Sequence, residues 1–296
     1  MAKVLDGRAT AQEIHAEVKA GVDELRRKHG VTPGLAAVLV GDDPASAIYV
    51  RNKGRACQEV GIYSQTFNLP ADTSQEELQA LIQRLNDDAQ FHGILVQLPL
   101  PEHLNEGLAI GAVSPQKDVD CIHPLNLGLL SQGNSDFVPA TPGGIQQLLL
   151  RNGYNPEGKH VVICGRSNIV GKPLAILLMQ KRSGANATVT VCHTGTPDLG
   201  AMTRQADILV AAMGRPMSIT ADMVRDGAVV VDVGINRVED ASRRRGYRLV
   251  GDVDYDALLD KVEAITPVPG GVGPMTIAML LVNTITAARL SIHGKG

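Results

Sequence analysis

Four polar side chains stand where they could do chemistry. Tyr49 and Lys53 lie four residues apart in Ser46-Ala47-Ile48-Tyr49-Val50-Arg51-Asn52-Lys53, a stretch with helical spacing, so the two share a face. Gln97 interrupts an apolar run, Gly93–Leu98, near its C-terminal end, where open parallel sheets bind ligands. Asp120 closes Lys117-Asp118-Val119-Asp120, a position that suits either a loop cap or a ligand-binding carboxylate. An amine, a phenol, an amide and a carboxylate together provide proton transfer and polar recognition. Singly each is a weak signal, because surface helices carry many Tyr–Lys pairs at this spacing.

A second constellation binds phosphate. Val161-Val162-Ile163-Cys164-Gly165 reads as a buried parallel strand, and Arg166-Ser167-Asn168-Ile169-Val170-Gly171-Lys172-Pro173 as a turn entering a helix. Backbone N–H groups and the helix dipole at such an entry hold a dinucleotide pyrophosphate. The string departs from G-x-G-x-x-G: Ser167 takes the second glycine position, Val170 the third, and Gly171 comes one place late. An ordinary strand-to-helix turn would satisfy these residues too. The next strand ends Val191-Cys192-His193-Thr194-Gly195 without the acid that an NAD site uses on its ribose. Arg166, directly after Gly165, is placed to take a 2′-phosphate bidentately, and Thr194 to donate to it. Both observations point to NADP.

The elements that must position these residues alternate helix and strand throughout. Ile14, Val18, Val22 and Leu25 predict a helix over about Thr10–His29. Leu35–Val40 is a strand, Ala45–Val60 a helix, Ser64–Leu69 a strand and Ser74–Ala89 a helix, with Thr73 and Glu76 as its capping box. Gly93–Leu98 is a strand closed by Pro99-Leu100-Pro101. Gly133–Pro142 is the linker candidate, and the helix Gly143–Asn152 opens the second half. Beyond the phosphate turn, Ala187–Cys192, Asp207–Ala212, Ala228–Val233 and Ala264–Val268 are apolar runs of strand length, the pattern of a doubly wound sheet. Thr266–Pro274 is too rich in Gly and Pro for regular structure and brings backbone close to a ligand. The apolar segment Thr276–Ile292, broken by Asn283 and Arg289, reads as a core helix returning to the first domain. The expected fold is therefore α/β: two α/β domains flanking a cleft, the second a Rossmann-like doubly wound parallel sheet. Residues 1–140 with 272–296 form the first domain and residues 141–271 the second.

Composition excludes several classes. With 28 basic and 31 acidic residues the formal charge is −3, so neither a nucleic-acid footprint nor a polybasic membrane patch is indicated. The cluster Arg243-Arg244-Arg245 follows Glu239-Asp240 and reads as a solvated hairpin or loop. Four cysteines are widely spaced, with no C-x-x-C pair and no metal-ligand cluster. Cys164 and Cys192 fall in strands as buried thiols. The N-terminus becomes charged too soon for a signal peptide, which places the protein in the cytoplasm.

The strings around Tyr49 and Lys53, Val96-Gln97-Leu98-Pro99-Leu100-Pro101, Lys117-Asp118-Val119-Asp120, Gly165–Pro173 and Ile265-Thr266-Pro267-Val268-Pro269-Gly270-Gly271-Val272-Gly273-Pro274-Met275-Thr276 resemble, in order, the bifunctional methylenetetrahydrofolate dehydrogenase/cyclohydrolase family. The resemblance covers nearly the whole chain. It implies hydride transfer from methylenetetrahydrofolate to NADP, then hydrolysis of the methenyl product to formyltetrahydrofolate. By the same resemblance Lys53 is the catalytic lysine, Tyr49 packs against the folate, Gln97 positions Lys53 and Asp120 anchors the pterin amino edge. Pro99, Pro269, Gly270 and Gly273 line the folate site. Gly165, Arg166, Ser167, Thr194 and Ile235 contact NADP, with Thr276 near the nicotinamide, and members pair as homodimers through the nucleotide domain. Elementary chemistry agrees: burial and a neighbouring substrate cation lower a lysine pKa, freeing amine to act as base. A neutral amide orients that amine without fixing it as ammonium. The family usually carries glycine where this chain has Cys121, so strain is expected beside Asp120. Two other readings remain open at this point, a monofunctional NADP-dependent dehydrogenase and a two-domain NADP oxidoreductase of shikimate dehydrogenase type.

Overall fold

The computed structural model describes residues 1–243 and 246–293. In chain order the strands are β1 (Lys3–Val4), β2 (Gly34–Val40), β3 (Tyr63–Leu69), β4 (Gly93–Val96), β5 (His160–Cys164), β6 (Thr188–Cys192), β7 (Ile208–Ala211), β8 (Val229–Asp232), β9 (Asn236–Glu239), β10 (Tyr247–Val250) and β11 (Ala264–Ile265). The helices are α1 (Gly7–His29), α2 (Pro44–Val60), α3 (Gln75–Asp87), α4 (Glu106–Ala112), α5 (Pro124–Ser131), α6 (Ala140–Arg151), α7 (Gly171–Leu178), α8 (Leu199–Thr203), α9 (Tyr255–Leu258) and α10 (Val272–His293). They divide into two α/β units, one of residues 12–140 with those from 277 onward, the other of residues 1–11 with 141–276.

The first of these units is built on a three-stranded parallel sheet in the order β3-β2-β4. Its central strand β2 is buried along its whole length, which is why Gly34–Val40 reads as an unbroken apolar run. Val38 and Val40 pack with Ile94 and Val96 of β4 against Leu78, Ile82 and Leu85 of α3. Local chemistry sets the helix starts. The Asp43 side chain accepts from the Ser46 N–H at 2.7 Å, Pro44 fills the first helical turn of α2, and Gly61 ends it at φ 83°. The capping box of α3 is Ser74 with Glu77, one residue later than expected. Thr73 instead donates its hydroxyl to the Pro70 carbonyl at 2.8 Å.

The second unit contains a six-stranded sheet, β1-β11-β8-β7-β5-β6, with every pairing parallel. Val162, Leu209, Val230 and Ile265 from four of its strands share one buried cluster with Val224 and Leu258. The antiparallel pair β9–β10 stands apart. The basic cluster expected as a solvated hairpin or loop falls in the sequence between these strands. Arg244 and Arg245 fall outside the described residues, and Arg243 pairs with Asp240 at 3.7 Å.

Three expectations are corrected. Residues 1–11 join the nucleotide-type unit instead of the first domain, because β1 adds to β11 as an edge strand. A two-residue strand has no periodicity to read. Helix α6 begins at Ala140, so residues 140–142 belong to it and not to the linker; Pro142 is tolerated in its first turn. Helix α10 likewise begins at Val272, inside the stretch expected to be irregular, with Pro274 in its first turn. That helix is long and apolar enough to cross a membrane, yet Leu280, Leu281, Thr284 and Ala288 are fully buried within the protein.

Candidate active site

Lys53 projects from α2 and is only 8% exposed. Its Nζ donates to Gln97 Oε1 at 3.0 Å, so a helix side chain meets the residue directly after β4. The Gln97 N–H continues the ladder to the Val38 carbonyl at 2.9 Å, and its Nε2 donates to the Leu98 carbonyl at 2.6 Å. The second bond fixes the amide orientation and aims the oxygen at the lysine. Burial pushes the Lys53 amine below the ordinary lysine value, and the Asp120 charge partly offsets this. The Asp120 carboxylate thus acts electrostatically on the same centre. Tyr49, one turn before Lys53, is 36% exposed, and burial of part of its ring raises its phenol above the ordinary value.

The loop carrying Asp120 is held by its neighbours. Lys117 Nζ donates to the Leu85 and Asp88 carbonyls at 3.1 and 2.8 Å. Asp118 is 3% exposed; its carboxylate accepts from the Ile122 and His123 N–H groups and from Asn126 Nδ2 at 3.3, 2.8 and 2.8 Å. Asn283, buried in α10, donates to the Val119 and Val138 carbonyls at 2.8 Å each. The cap of this loop is therefore Asp118, and Asp120 is left half-buried for another use. Asn283 was legible only as a polar interruption of an apolar segment, and Asp118 only as a second carboxylate beside Asp120. Cys121 adopts φ 56°, the left-handed region that a glycine enters freely, at a cost of about 1–2 kcal/mol for a residue with Cβ. Its thiol is buried, and burial first, then the Asp118 charge, pushes it up to about 12. Pro99 is exposed just beyond Gln97.

In the other unit β5 delivers Gly165 at φ 134°. A Cβ there would lie 2.2 Å from the Ala212 carbonyl oxygen, so only glycine lets the turn pass so close to the end of β7. The Ser167 hydroxyl accepts from the Val170 and Gly171 N–H groups at 3.1 and 3.4 Å, shaping the entry to α7. Among the described residues the N–H groups of Ser167, Asn168 and Ile169 meet no protein acceptor. They lie on an exposed turn, with Arg166 exposed beside them, an arrangement that fits a phosphate-bearing ligand. Thr194 is exposed at the tip of a turn closed by the His193 N–H to Thr196 Oγ1, 3.0 Å. Ile235 is 45% exposed beyond the end of β8. Thr276 Oγ1 and Thr141 Oγ1 are hydrogen-bonded at 3.0 Å. Pro269 is exposed and Gly270 has φ 114°, whereas Gly273 has open space around it and needs no missing side chain. Tyr49, Lys53, Gln97, Asp120 and Pro99 thus belong to one unit, and the remaining expected site residues to the other. No group of three or more metal-ligating side chains occurs among the described residues.

Residues 5–120 match the family model of the tetrahydrofolate dehydrogenase/cyclohydrolase catalytic domain, and residues 139–292 match that of its NAD(P)-binding domain. The chain belongs to the tetrahydrofolate dehydrogenase/cyclohydrolase family. It is 55% identical over 284 residues to the bifunctional protein FolD of Chloroherpeton thalassium, covering 95% of this chain and 97% of that one. Among solved structures it resembles the bifunctional FolD methylenetetrahydrofolate dehydrogenase/cyclohydrolase of Campylobacter jejuni, with TM-score 0.92 and 47% identity over 98% of this chain and 100% of that chain. The Trypanosoma brucei FolD enzyme, complexed with NADP cofactor and an inhibitor, gives TM-score 0.92 and 41% identity over 98% of each chain. These family matches bear out the resemblance read from the five motifs, and with it the two-domain α/β plan.

Proposed function

We propose that this family member oxidises 5,10-methylenetetrahydrofolate with NADP and hydrolyses the resulting methenyl cation to 10-formyltetrahydrofolate. The observation that carries the second activity is the buried Lys53 amine held by a neutral amide. Burial lowers its pKa and so raises the share of neutral amine, and Lys53 takes the proton as water adds to the cation and returns it when the ring opens. Gln97 aims that amine without supplying a charge. Tyr49 packs against the folate, and the Asp120 carboxylate accepts two parallel N–H bonds from the amino-pyrimidinone edge. Pro99, Pro269, Gly270 and Gly273 line the folate.

Bound NADP supplies the hydride acceptor. The free N–H groups of the turn after Gly165 hold its pyrophosphate, Arg166 and Thr194 take the 2′-phosphate, Ser167 and Ile235 contact the nucleotide, and Thr276 lies near the nicotinamide. The absence of a carboxylate after β6 supports NADP over NAD. Under this reading the sheet β3-β2-β4 belongs to the folate-binding catalytic domain and the six-stranded sheet to the nucleotide domain. The protein acts in the cytoplasm as a homodimer paired through the nucleotide domain; the absence of paired thiols supports the compartment. The buried Lys53 amine argues against a dehydrogenase that lacks the hydrolytic step.

The test is simultaneous measurement of NADPH formation and methenyl decay in purified wild-type and Lys53→Met protein. Methionine keeps the stem's bulk and removes the amine. Methenyl hydrolysis is expected to fall about 10²–10⁴-fold, with methenyl product accumulating while hydride transfer persists. Hydrolysis at the wild-type rate in folded Lys53→Met removes the role given to Lys53.

A further inference from the structure

Two buried carboxylates outside the residues discussed so far organise the ends of β7 and β8. Asp252 is fully buried, and its side chain accepts four hydrogen bonds. Oδ2 takes the Met213 and Gly214 N–H groups at 2.6 and 2.9 Å; Oδ1 takes the Arg215 N–H at 2.8 Å and Asn236 Nδ2 at 2.9 Å. Asp232, 4% exposed, accepts from the N–H groups of Gly234, Asp252 and Val253 at 3.0, 2.9 and 2.9 Å. The packing leaves no slack: a Cβ at Gly234 would lie 2.3 Å from Asp252 Oδ1, and one at Gly251 would lie 1.8 Å from Asp232 Oδ2.

What these carboxylates hold is exposed main chain. Gly214 and Arg215 are exposed, and Ile235 lies between two anchored residues, Gly234 bound to Asp232 and Asn236 bound to Asp252. Both segments sit at the C-terminal ends of parallel strands, the side on which such sheets bind ligands. Ala212, directly before the anchored loop, donates its N–H to the Cys164 carbonyl at 2.8 Å, and its own carbonyl crowds Gly165. One buried side chain therefore fixes the Met213–Arg215 loop and the Ile235 turn together, and the loop abuts the phosphate turn. A carboxylate suits this task because it alone offers acceptors for four converging donors.

We propose that Asp252 is a positioning residue for the nucleotide, holding the Met213–Arg215 loop and the Ile235 turn in the geometry that binds NADP. The inference rests on the reading of this unit as the NADP site. Titration of NADPH by its fluorescence gives the dissociation constant without turnover, and methenyl hydrolysis, which needs no nucleotide, reports on the folate site. In Asp252→Asn an amide nitrogen replaces one acceptor. The dissociation constant for NADPH and the KM for NADP are expected to rise about tenfold or more, with kcat and methenyl hydrolysis within about twofold of wild type. Unchanged NADPH affinity in folded protein, or equal loss of binding and hydrolysis, overturns the proposal. If Asp252→Asn does not fold, Asn236→Ala removes one of the four bonds, and about a threefold weakening is expected; unchanged affinity overturns the proposal here too. A wild-type protein that binds no NADPH removes the reading of the unit, and this inference with it. Wild-type binding with an indifferent Asp252→Asn variant removes the inference alone.

Discussion

Replacing Gln97 by glutamate keeps the shape of the side chain and changes the charge that faces the Lys53 amine. The acceptor oxygen already lies 3.0 Å from Nζ. A full negative charge at that range, with an effective dielectric constant of about 20, favours ammonium by about 5.5 kcal/mol. That is an upper bound of about four pKa units, and pairs of this kind shift by about one to three. Taking two, the population of neutral amine falls by up to about a hundredfold, and methenyl hydrolysis falls with it. The acidic limb of the kcat/KM profile for hydrolysis should move up by about two pH units, so activity returns as pH is raised. Glutamate cannot donate to the Leu98 carbonyl as Gln97 does at 2.6 Å, which costs about 1–3 kcal/mol of stability. Thermal unfolding is therefore measured first. Hydride transfer routes no proton through Lys53, so its pH limb should stay in place. A folded Gln97→Glu protein whose hydrolytic limb does not move would refute the argument that a neutral amide is needed beside this lysine.

Arg166→Ala should collapse the preference for NADP over NAD, worth about 10- to 150-fold for a charge-assisted contact, and leave NAD use nearly unchanged; kcat/KM with each nucleotide checks it. Burial pushes Asp232 up from the usual 3.8 to about 6, despite its backbone N–H donors. A raised carboxyl pKa favours the folded state below about pH 4, and that contribution, about 3 kcal/mol, is lost as pH rises through 6. Denaturant unfolding from pH 4 to 7.5 should therefore show wild type losing about that much relative to Asp232→Asn, whose side chain does not titrate; a constant difference rejects it. All four cysteines are buried and free, and burial pushes Cys57, Cys121 and Cys164 up to about 12 and Cys192 upwards. At pH 8 a thiol near 12 is about one part in ten thousand thiolate, so a thiol reagent should label the native protein slowly and all four sites once it is unfolded.

The alternation of helix and strand, the strand-to-turn-to-helix phosphate motif and the Tyr49–Lys53 face were legible in the sequence because each is encoded by neighbours in the chain. Apolar period and turn residues act over a few positions, and β2 and α2 need no distant partner to be recognised. Five motifs in a fixed order carried the family, which local physics by itself would not. Contacts between distant segments decided the rest. Lys117-Asp118-Val119-Asp120 presents two equivalent carboxylates on paper. Packing made Asp118 the cap, by burying it against Ile122, His123 and Asn126, and so left Asp120 to act on Lys53. The edge strand β1 owes its place to pairing with β11, more than 250 residues away in sequence. In the sequence Asp232 is a lone acid near the end of an apolar strand run, and Asp252 an ordinary loop acid beside Gly251. Only the convergence of β7, β8 and the chain after β10 surrounds them with donors and removes water, and that convergence turns two common residues into the anchors of a binding surface.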